Sequence, residues 1–300
     1  MTSLPVVHPG ALGELPFPLA RTSPSDRHFD YCLQPYRPRR SPRGKLRAEN
    51  LLLKALELSG SLAPALPVIE ALRASLGRDM VVWGTKWDGE RLFFELYIYD
   101  PQKEDPKATV SGLRETLRSL LPIGPTVAET IPYMMVSFDL DVPVFESGAV
   151  SELNLYLSDV DAHAGRSYVV SGEQMELANT YRFLEPKREI DTLLALLESS
   201  SFIDYSDPRV LGRVLLPDLF ACKRVCVAKK RLRDGVYFSG LSIEQLLGFL
   251  RRCSYPAPLV AFADAIAGDL DHVYFDVGLD LLQDASGAIS YPKTSFYGTF

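Results

Sequence analysis

The strictest constraint on this chain is the alternation of apolar and polar residues across residues 272–300. Between Val273 and Leu281 every second residue is apolar, and the residues between them are Tyr274, Asp276, Gly278 and Asp280. After a turn at residues 284–287, one face of the returning strand carries Tyr291, Lys293, Ser295, Tyr297 and Thr299. A period of two residues predicts a β-hairpin. Because a lysine among tyrosines is an unusual decoration for a face that only meets water, we predict that the polar face points inward onto a ligand.

The same two-residue period recurs in four earlier segments. The predicted strand pairs are residues 81–87 with 91–100, 133–141 with 152–158, 166–170 with 175–184, and 219–231 with 236–241. Their turns are predicted at Asp88-Gly89, Ser147-Gly148, Ser171-Gly172 and Asp234-Gly235. Helical spacing predicts helices at residues 46–58, 67–76, 110–121, 189–199, 243–253 and 258–267. Because no linker interrupts this series, residues 47–300 are predicted to form one domain.

Ten antiparallel strands with helices between them predict an α+β barrel. The helices can cover only the apolar face of the sheet, and closure removes the two bare edges that an open sheet would leave. A ten-stranded barrel is wider than the eight-stranded kind, so it should enclose a ligand-sized cavity. The lumen is predicted to be polar and rich in tyrosine. The tyrosines on the inferred inward faces are Tyr97, Tyr99, Tyr133, Tyr156, Tyr237, Tyr274 and Tyr297.

Composition limits the class of protein. The chain has 300 residues and is 47% hydrophobic, which is enough for a large core. No apolar run approaches the roughly 18 residues that span a bilayer, and the amino terminus lacks the order of a secretory signal, so a cytoplasmic location and no membrane span are predicted. The cysteines form no CxxC pair and are interpreted as buried, reduced thiols; they are Cys32, Cys222, Cys226 and Cys253.

The first 46 residues are predicted to be an extended or disordered arm. They contain eight prolines, which exclude a helix or a central strand. The arm holds seven Lys or Arg and three acidic residues, a net charge of +4. Because the whole chain has a net charge of −6, the remaining residues carry a net charge of −10. The arginine-rich run at residues 36–43 could bind an acidic partner or simply be solvated. A body this acidic is a poor candidate for binding nucleic acid.

Three segments carry a resemblance to a known family. The strand Cys222-Lys223-Arg224 with its partner at residues 236–239, the strand Leu153–Leu157, and the segment Lys293–Gly298 resemble strands that supply diphosphate-binding cations and tyrosines in the ABBA-type aromatic prenyltransferases, the prenyltransferase-barrel family. The order of elements resembles that family over residues 46–300. The resemblance implies a transferase of secondary metabolism that moves a prenyl group from an allylic diphosphate, such as dimethylallyl or geranyl diphosphate, to an electron-rich aromatic small molecule or peptide side chain.

Such chemistry needs cations to hold the diphosphate and aromatic rings to shield a carbocation. The candidate cations are Lys293, Arg224 and Arg182, with Lys86 behind them. The lumenal tyrosines would stabilise the carbocation through their ring faces, each by about 0.5–2 kcal/mol. Glu95 is the first candidate for the base that removes a proton from the acceptor, followed by Asp139 and Asp276.

Simpler interpretations of these residues remain open. Arg182, Lys86 and Lys293 would be surface residues if the faces were inverted, and either Arg224 or its neighbour Lys223 should meet solvent. Glu95 could pair with a cation for structural reasons alone. Tyrosines are also ordinary strand formers.

Other reaction classes lack their motifs. The sequence contains no P-loop, no GxGxxG after a strand, no GxSxG and no HExxH. No DDxxD motif is present, so no cofactor is predicted to be required, although Mg²⁺ could assist. The loop Asp159–His163 has the residue types of a metal site and is the alternative to that prediction.

The runner-up hypothesis is a non-catalytic barrel that binds an aromatic or lipid-like small molecule. Buried cations distinguish the two hypotheses, since a carrier for a neutral ligand would bury them at a cost. The sequence predicts that Lys293→Ala and Arg224→Ala weaken binding of the prenyl diphosphate, and that Glu95→Gln slows turnover more than binding.

Overall fold

Ten antiparallel strands form a closed barrel in the computed structural model, which describes residues 14–26, 36–159 and 163–300. The strands are β1 (Val81–Trp87), β2 (Leu92–Tyr99), β3 (Met135–Asp139), β4 (Glu152–Ser158), β5 (Ala164–Ser171), β6 (Gln174–Leu184), β7 (Arg224–Lys230), β8 (Asp234–Leu241), β9 (Phe275–Gln283) and β10 (Ile289–Thr299). Each strand pairs with its neighbours along the chain, and β1 pairs with β10 to close the barrel. The predicted α+β barrel is confirmed.

Eight α-helices are present among the described residues, and they lie outside the barrel. They are α1 (Glu49–Leu58), α2 (Leu62–Leu76), α3 (Val110–Leu117), α4 (Val142–Ser147), α5 (Ile190–Glu198), α6 (Pro208–Val214), α7 (Ile243–Arg252) and α8 (Ala257–Ala265). Short 3₁₀ turns span Pro106–Ala108 and Ala267–Asp269. None of the helices described is long and apolar enough to cross a bilayer.

The main hydrophobic core lies between the helices and the outer face of the sheet. Strand alternation places Trp83, Phe94 and Phe238 on that face, and all three are fully buried. Helix α1 packs on β1, α5 on β7, α6 on β10 and α7 on β9. A second, separate cluster inside the barrel contains Val82, Tyr97, Met135 and Tyr297. The sheet therefore has an apolar outside and an aromatic inside, as the alternation predicts.

Two local predictions are wrong, and one helix was not predicted. Asp234 and Gly235 are the first residues of β8 rather than a turn, because Asp234 is buried and pairs with Lys229 on β7 at 2.8 Å. The connection from β3 to β4 contains helix α4, whose first turn is capped by Asp141 and whose end is set by Gly148 in the left-handed region. Helix α6 has no counterpart in the prediction.

The described parts of the arm contact the helices that surround the barrel. Phe17 is buried and meets Phe262 edge to face, and Asn50 exchanges hydrogen bonds with the backbone of Ala20 at 2.8 Å. Arg47 forms a buried ion pair with Asp26. The division of the chain near residue 46 stays a prediction. Cys32, His8, His28 and Asp161 lie outside the described residues.

Candidate active site

A buried ion pair joins two of the predicted site residues inside the barrel. Lys86 on β1 and Glu95 on β2 face the lumen, and the Lys86 ammonium contacts the Glu95 carboxylate. The same ammonium lies 3.3 Å from Oδ1 of Asp139, whose side chain is 51% exposed at the mouth of the barrel. Lys86 therefore connects a buried carboxylate to one that reaches solvent.

Glu95 is held by neutral donors as well as by Lys86. The Tyr97 hydroxyl donates to Oε2 at 2.6 Å, the Ser137 hydroxyl donates to Oε1, and Asn154 Nδ2 donates to Oε1 at 3.4 Å. Burial alone would raise the pKa of Glu95, but Lys86 and these donors outweigh it and hold the pKa below its ordinary value. Glu95 is therefore ionised at neutral pH and is able to accept a proton.

A second cluster of charges surrounds Asp280 on β9. Lys230 at the end of β7 contacts Oδ1 of Asp280, while Lys293 on β10 lies 3.4 Å from Oδ2 and Arg233 lies 3.8 Å from the same atom. Burial and the neighbouring charges of Lys293 and Lys86 hold the pKa of Lys230 below its ordinary value, although Asp280 opposes this shift. Three cations thus converge on one carboxylate that is 5% exposed.

Both clusters lie toward the same end of the lumen. Lys86 pairs with Ser295 across β1 and β10, and Ser295 is two residues from Lys293 on the same face. Asp280 is the direct partner of Lys293. We refer to Lys86, Lys230 and Lys293 as the lysine cluster.

A band of tyrosine rings lies beside the lysine cluster. Neighbouring ring centroids are 5.9–6.4 Å apart, in the order Tyr181, Tyr156, Tyr97, Tyr297 and Tyr237. Burial raises the pKa of Tyr181, Tyr156, Tyr297 and Tyr237, so these four phenols stay protonated. The Lys230 ammonium donates to the hydroxyl of Tyr237 at 2.9 Å, which joins the lysine cluster to the tyrosine band.

Glycines on neighbouring strands make room for two of these rings. Gly84 is the strand partner of Tyr297, and a Cβ at residue 84 would stand 2.8 Å from that ring. Gly278 is the partner of Tyr237, and a Cβ there would stand 2.5 Å from the ring. Backbone without side chains therefore forms part of the lumen wall behind the tyrosine band.

A cavity of about 50 Å³ borders the tyrosine band, and none of its lining residues belongs to the lysine cluster. Its lining is mostly apolar and includes Met135, Tyr156, Tyr181, Phe183, Cys226 and Tyr237. Burial raises the pKa of the Cys226 thiol, so this cysteine stays protonated. The lumen therefore contains a charged cluster and an apolar cavity, and the ring of Tyr237 borders both.

Arg224 faces the lumen but lies toward the other end. It pairs with Ser239, which pairs with Asp276, which in turn pairs with Tyr297. Lys293 is four residues from Tyr297 along β10, or roughly 13 Å at about 3.3 Å per residue. Arg224 is therefore distant from the lysine cluster, although the sequence predicts that Arg224 and Lys293 hold the same diphosphate.

Asp276 and Tyr274 lie toward the same end as Arg224. Asp276 is buried, and its Oδ1 accepts a hydrogen bond from the Gly240 amide at 2.9 Å. The Tyr274 ring holds the Lys223 ammonium 3.6 Å from its centroid and meets the Tyr36 ring edge to face. Tyr99 packs against the edge of the inner cluster.

Two predicted site residues do not face the lumen. Asn179 and Tyr181 hydrogen-bond to each other inside the barrel and Phe183 lines the cavity, so Arg182 between them points outward. Tyr133 precedes β3 and lies in the outer core, where its hydroxyl accepts from the Val110 amide at 3.1 Å. Both placements correct the prediction.

Four residues of the site were not predicted from the sequence: Lys230, Asp280, Tyr181 and Asn179. Asp280 is one of the polar residues of the final hairpin and shares a face with Asp276, so the alternation pattern alone predicts that it points into the lumen. Lys230 was hidden by Lys229 beside it, because two adjacent lysines point to opposite faces and only the register decides which is inside. Tyr181 was not predicted because Arg182, the next residue, was assigned to the inward face instead.

The loop at residues 159–163 is described only at its ends. Asp159 forms an ion pair with Arg166 at 2.7 Å. Among the residues described on either side of that gap and elsewhere, no group of three His, Cys, Asp or Glu side chains is arranged to hold a metal ion.

Comparison with known proteins gives a fold. A structure of PriB in complex with product diphosphate aligns with a TM-score of 0.50 at 9% identity, over 84% of this chain and 94% of that chain. The chain has the prenyltransferase-barrel fold. The NotF prenyltransferase aligns at a TM-score of 0.49 with 10% identity, over 83% of this chain and 92% of that chain. A structure of PriB with L-tryptophan and dimethylallyl thiolodiphosphate aligns at a TM-score of 0.49 with 10% identity, over 84% of this chain and 94% of that chain.

Sequence comparison adds nothing to this prenyltransferase-barrel assignment. Neither a protein-family model nor a curated protein sequence matches the chain. At identities of 9–10% the likeness concerns the fold and does not extend to the chemistry of this barrel.

Proposed function

We propose that this protein transfers a prenyl group from an allylic prenyl diphosphate to an electron-rich aromatic acceptor and releases pyrophosphate. The observation that carries the proposal is the junction between the lysine cluster and the tyrosine band, where Lys230 donates to the hydroxyl of Tyr237 at 2.9 Å. Ionisation of an allylic diphosphate produces an anion and a carbocation, and these two surfaces are suited to one product each.

The lysine cluster would hold the diphosphate. Ammonium groups form charge-assisted hydrogen bonds with phosphate oxygens and stabilise the negative charge that develops as the carbon–oxygen bond breaks. Lys293, which is 38% exposed, lies nearer to solvent than Lys230 at 14%. The diphosphate would therefore enter past Lys293 and reach Lys230 beside the tyrosine band. The likeness to PriB, whose structure contains product diphosphate, supports this choice of ligand.

The tyrosine band would stabilise the allylic carbocation. The faces of Tyr97, Tyr237 and Tyr297 attract a cation by about 0.5–2 kcal/mol each. The raised pKa values of Tyr237 and Tyr297 keep these two phenols neutral, so they do not compete with the acceptor as nucleophilic phenolates.

An acceptor carbon, oxygen or nitrogen would then attack the carbocation. The new bond forms with an electron pair from the acceptor, and the surplus proton passes to the ionised carboxylate of Glu95. Lys86 lies between Glu95 and the more exposed Asp139, which places a route to solvent beside the base. The acceptor would occupy the apolar region around Met135 and Phe183. The cavity there is smaller than typical ligand sites of about 300 Å³ or more, so we expect the side chains around it to move when the acceptor binds.

The first test is a thermal shift assay with dimethylallyl, geranyl and farnesyl diphosphates. Inorganic pyrophosphate and a neutral prenyl alcohol serve as comparison ligands. A ligand at about a hundred times its Kd stabilises a protein by roughly 2.7 kcal/mol, which moves the midpoint by a few degrees. We expect a shift with one or more diphosphates and none with the alcohol, and the largest shift should identify the donor.

Variants of neighbouring lysines localise the site. Lys230→Ala should abolish most of the shift, whereas Lys229→Ala should leave it unchanged, because Lys229 pairs with Asp234 on the outer face. Lys293→Ala should also weaken binding, and Arg224→Ala should have a smaller effect because of its distance. No shift with any diphosphate would favour the alternative barrel for an aromatic or lipid-like ligand, with Glu95 and Asp280 as permanent partners of the lysines.

A further inference from the structure

The cations that suit a diphosphate already surround an anion that belongs to the protein. Asp280 contacts Lys230 through Oδ1, and Lys293 and Arg233 approach Oδ2 at 3.4 Å and 3.8 Å. The carboxylate is 5% exposed, so these interactions operate away from bulk solvent, where charges act strongly on one another. A diphosphate that reached Lys230 and Lys293 would be placed against a buried negative charge.

Asp280 differs from Glu95, the other lumenal carboxylate paired with a lysine. Glu95 accepts hydrogen bonds from Tyr97, Ser137 and Asn154 in addition to its contact with Lys86. Within residues 14–26, 36–159 and 163–300, every hydrogen-bond and ionic partner of the Asp280 side chain is a cation. When an external anion binds these cations, the Asp280 side chain gives up no other hydrogen bond. If Glu95 were displaced in the same way, three neutral donors would be left without an acceptor.

We propose that Asp280 is a displaceable internal counter-ion that occupies the diphosphate site of this barrel when no substrate is bound. The inference rests on the proposed diphosphate site and adds a determinant of its affinity. In the free protein, Asp280 balances the buried charge of Lys230 and keeps the cations converged. When the diphosphate binds, its oxygens replace the Asp280 carboxylate at Lys230 and Lys293.

The arrangement also acts on product release. Pyrophosphate is held by the same lysines after the prenyl group has left, and Asp280 remains next to it on β9. Return of the carboxylate to Lys230 and Lys293 satisfies the cations that pyrophosphate vacates. The counter-ion therefore lowers the affinity for diphosphates in general, and it shortens the time that the product stays bound.

The experiment measures the Kd for inorganic pyrophosphate by calorimetry for the wild type, Asp280→Asn and Asp234→Asn. Asparagine keeps the size of the side chain and removes the competing charge, so Asp280→Asn should bind pyrophosphate at least about tenfold more tightly than the wild type. Asp234→Asn is the matched control, since Asp234 is an equally buried carboxylate that pairs with Lys229 on the outer face. Its pyrophosphate affinity should equal that of the wild type.

The outcomes separate the inference from the proposed function. If the wild type binds pyrophosphate and Asp280→Asn binds it equally or less well, the counter-ion role is wrong and the diphosphate site stands. If none of the three proteins binds pyrophosphate, the diphosphate site itself is wrong and the inference falls with it. A merely structural role for Asp280 predicts that Asp280→Asn has lower stability without tighter pyrophosphate binding. Asp234→Asn is the reference for a loss of stability of that kind.

A second measurement does not depend on whether Asp280→Asn folds. In a crystal structure of the wild type with pyrophosphate, Lys230 and Lys293 should contact phosphate oxygens and the Asp280 carboxylate should have turned away from them. Pyrophosphate bound elsewhere, with Asp280 still between the two lysines, would overturn the inference.

Discussion

The ring of Tyr237 lies so close to Gly278 that a Cβ on residue 278 would stand 2.5 Å from its Cδ1 and Cε1 atoms. The two residues are direct partners on β8 and β9, and the hydroxyl of the same tyrosine accepts the hydrogen bond from Lys230. The position of this tyrosine is therefore determined by an absent side chain on one side and a cation on the other.

Gly278→Ala should push Tyr237 out of place. Real Cβ atoms do not approach other atoms this closely, so the ring must move and the surrounding lumen must repack, at a cost of about 1–3 kcal/mol in unfolding free energy. Chemical denaturation measures the loss. Gly248→Ala is the control, because a Cβ there meets nothing within 4 Å and replaces glycine in helix α7, which should raise stability slightly. Equal stability of the two variants would contradict the proposed packing.

Glu95→Gln should slow prenyl transfer far more than it weakens diphosphate binding. The amide keeps the shape of the side chain but cannot take a proton, and general-base catalysis contributes about 10²–10⁴-fold. Single-turnover rates with the donor found in the thermal shift assay measure the effect. Glu129→Gln is the control, since Glu129 bonds Tyr133 and Ser111 outside the barrel. A fully active Glu95→Gln protein would assign the base to another residue.

Acid should destabilise the wild type more than Glu95→Gln. The folded protein holds the pKa of Glu95 below its ordinary value of about 4.3. A depressed carboxyl pKa contributes stability that is present above the unfolded pKa and is lost as the pH falls through the folded value. Urea denaturation at pH 7, 5, 4 and 3 should therefore show a steeper decline for the wild type below about pH 4.3. Parallel pH profiles would show that the ion pair with Lys86 does not hold Glu95 ionised.

Glu49→Gln should be the most damaging single change in the outer helices. Glu49 on α1 is fully buried, and its two oxygens accept hydrogen bonds from Arg73 and Arg78. Removing one partner of a buried pair leaves charge without compensation, which costs roughly 3 kcal/mol. Thermal and chemical unfolding measure the loss.

The comparison for this change is Glu57→Gln on the same helix. Glu57 pairs with Lys54 one turn away near the surface, so the loss should be below about 0.5 kcal/mol. A loss for Glu49→Gln no larger than that of Glu57→Gln would mean that the two arginines do not depend on this carboxylate.

Much of the architecture could be predicted because the two faces of the sheet meet different surroundings, apolar helices on the outside and a polar, aromatic lumen on the inside. Strand β2 alternates Leu, Phe and Ile with Phe, Glu and Tyr, and the first set lies under helices while the second faces the lumen. The same logic predicted β9 and β10 and placed Lys86 and Glu95 on one inward surface. The interleaved helices then required closure of the barrel.

The inward face was mispredicted where the two faces of a strand carry similar residues. On β6 the segment Asn179–Phe183 offers polar and aromatic residues on both faces, so the sequence could not choose between Tyr181 and Arg182. A shift of one residue exchanges the whole face, and the bulge between Ser167 and Tyr168 relative to β6 adds such a shift nearby. The same ambiguity hid Lys230 behind Lys229.

The sequence by itself determined which residues alternate, and hence that ten strands share an apolar outside and an aromatic inside. Only the tertiary structure decided which charges meet. Lys230, Asp280 and Lys293 lie on three different strands, and their contact depends on the strand order and on the register of β7 to β10. A period of two residues specifies the face on which a side chain lies, but its height along the barrel depends on the register of the hydrogen bonds between neighbouring strands.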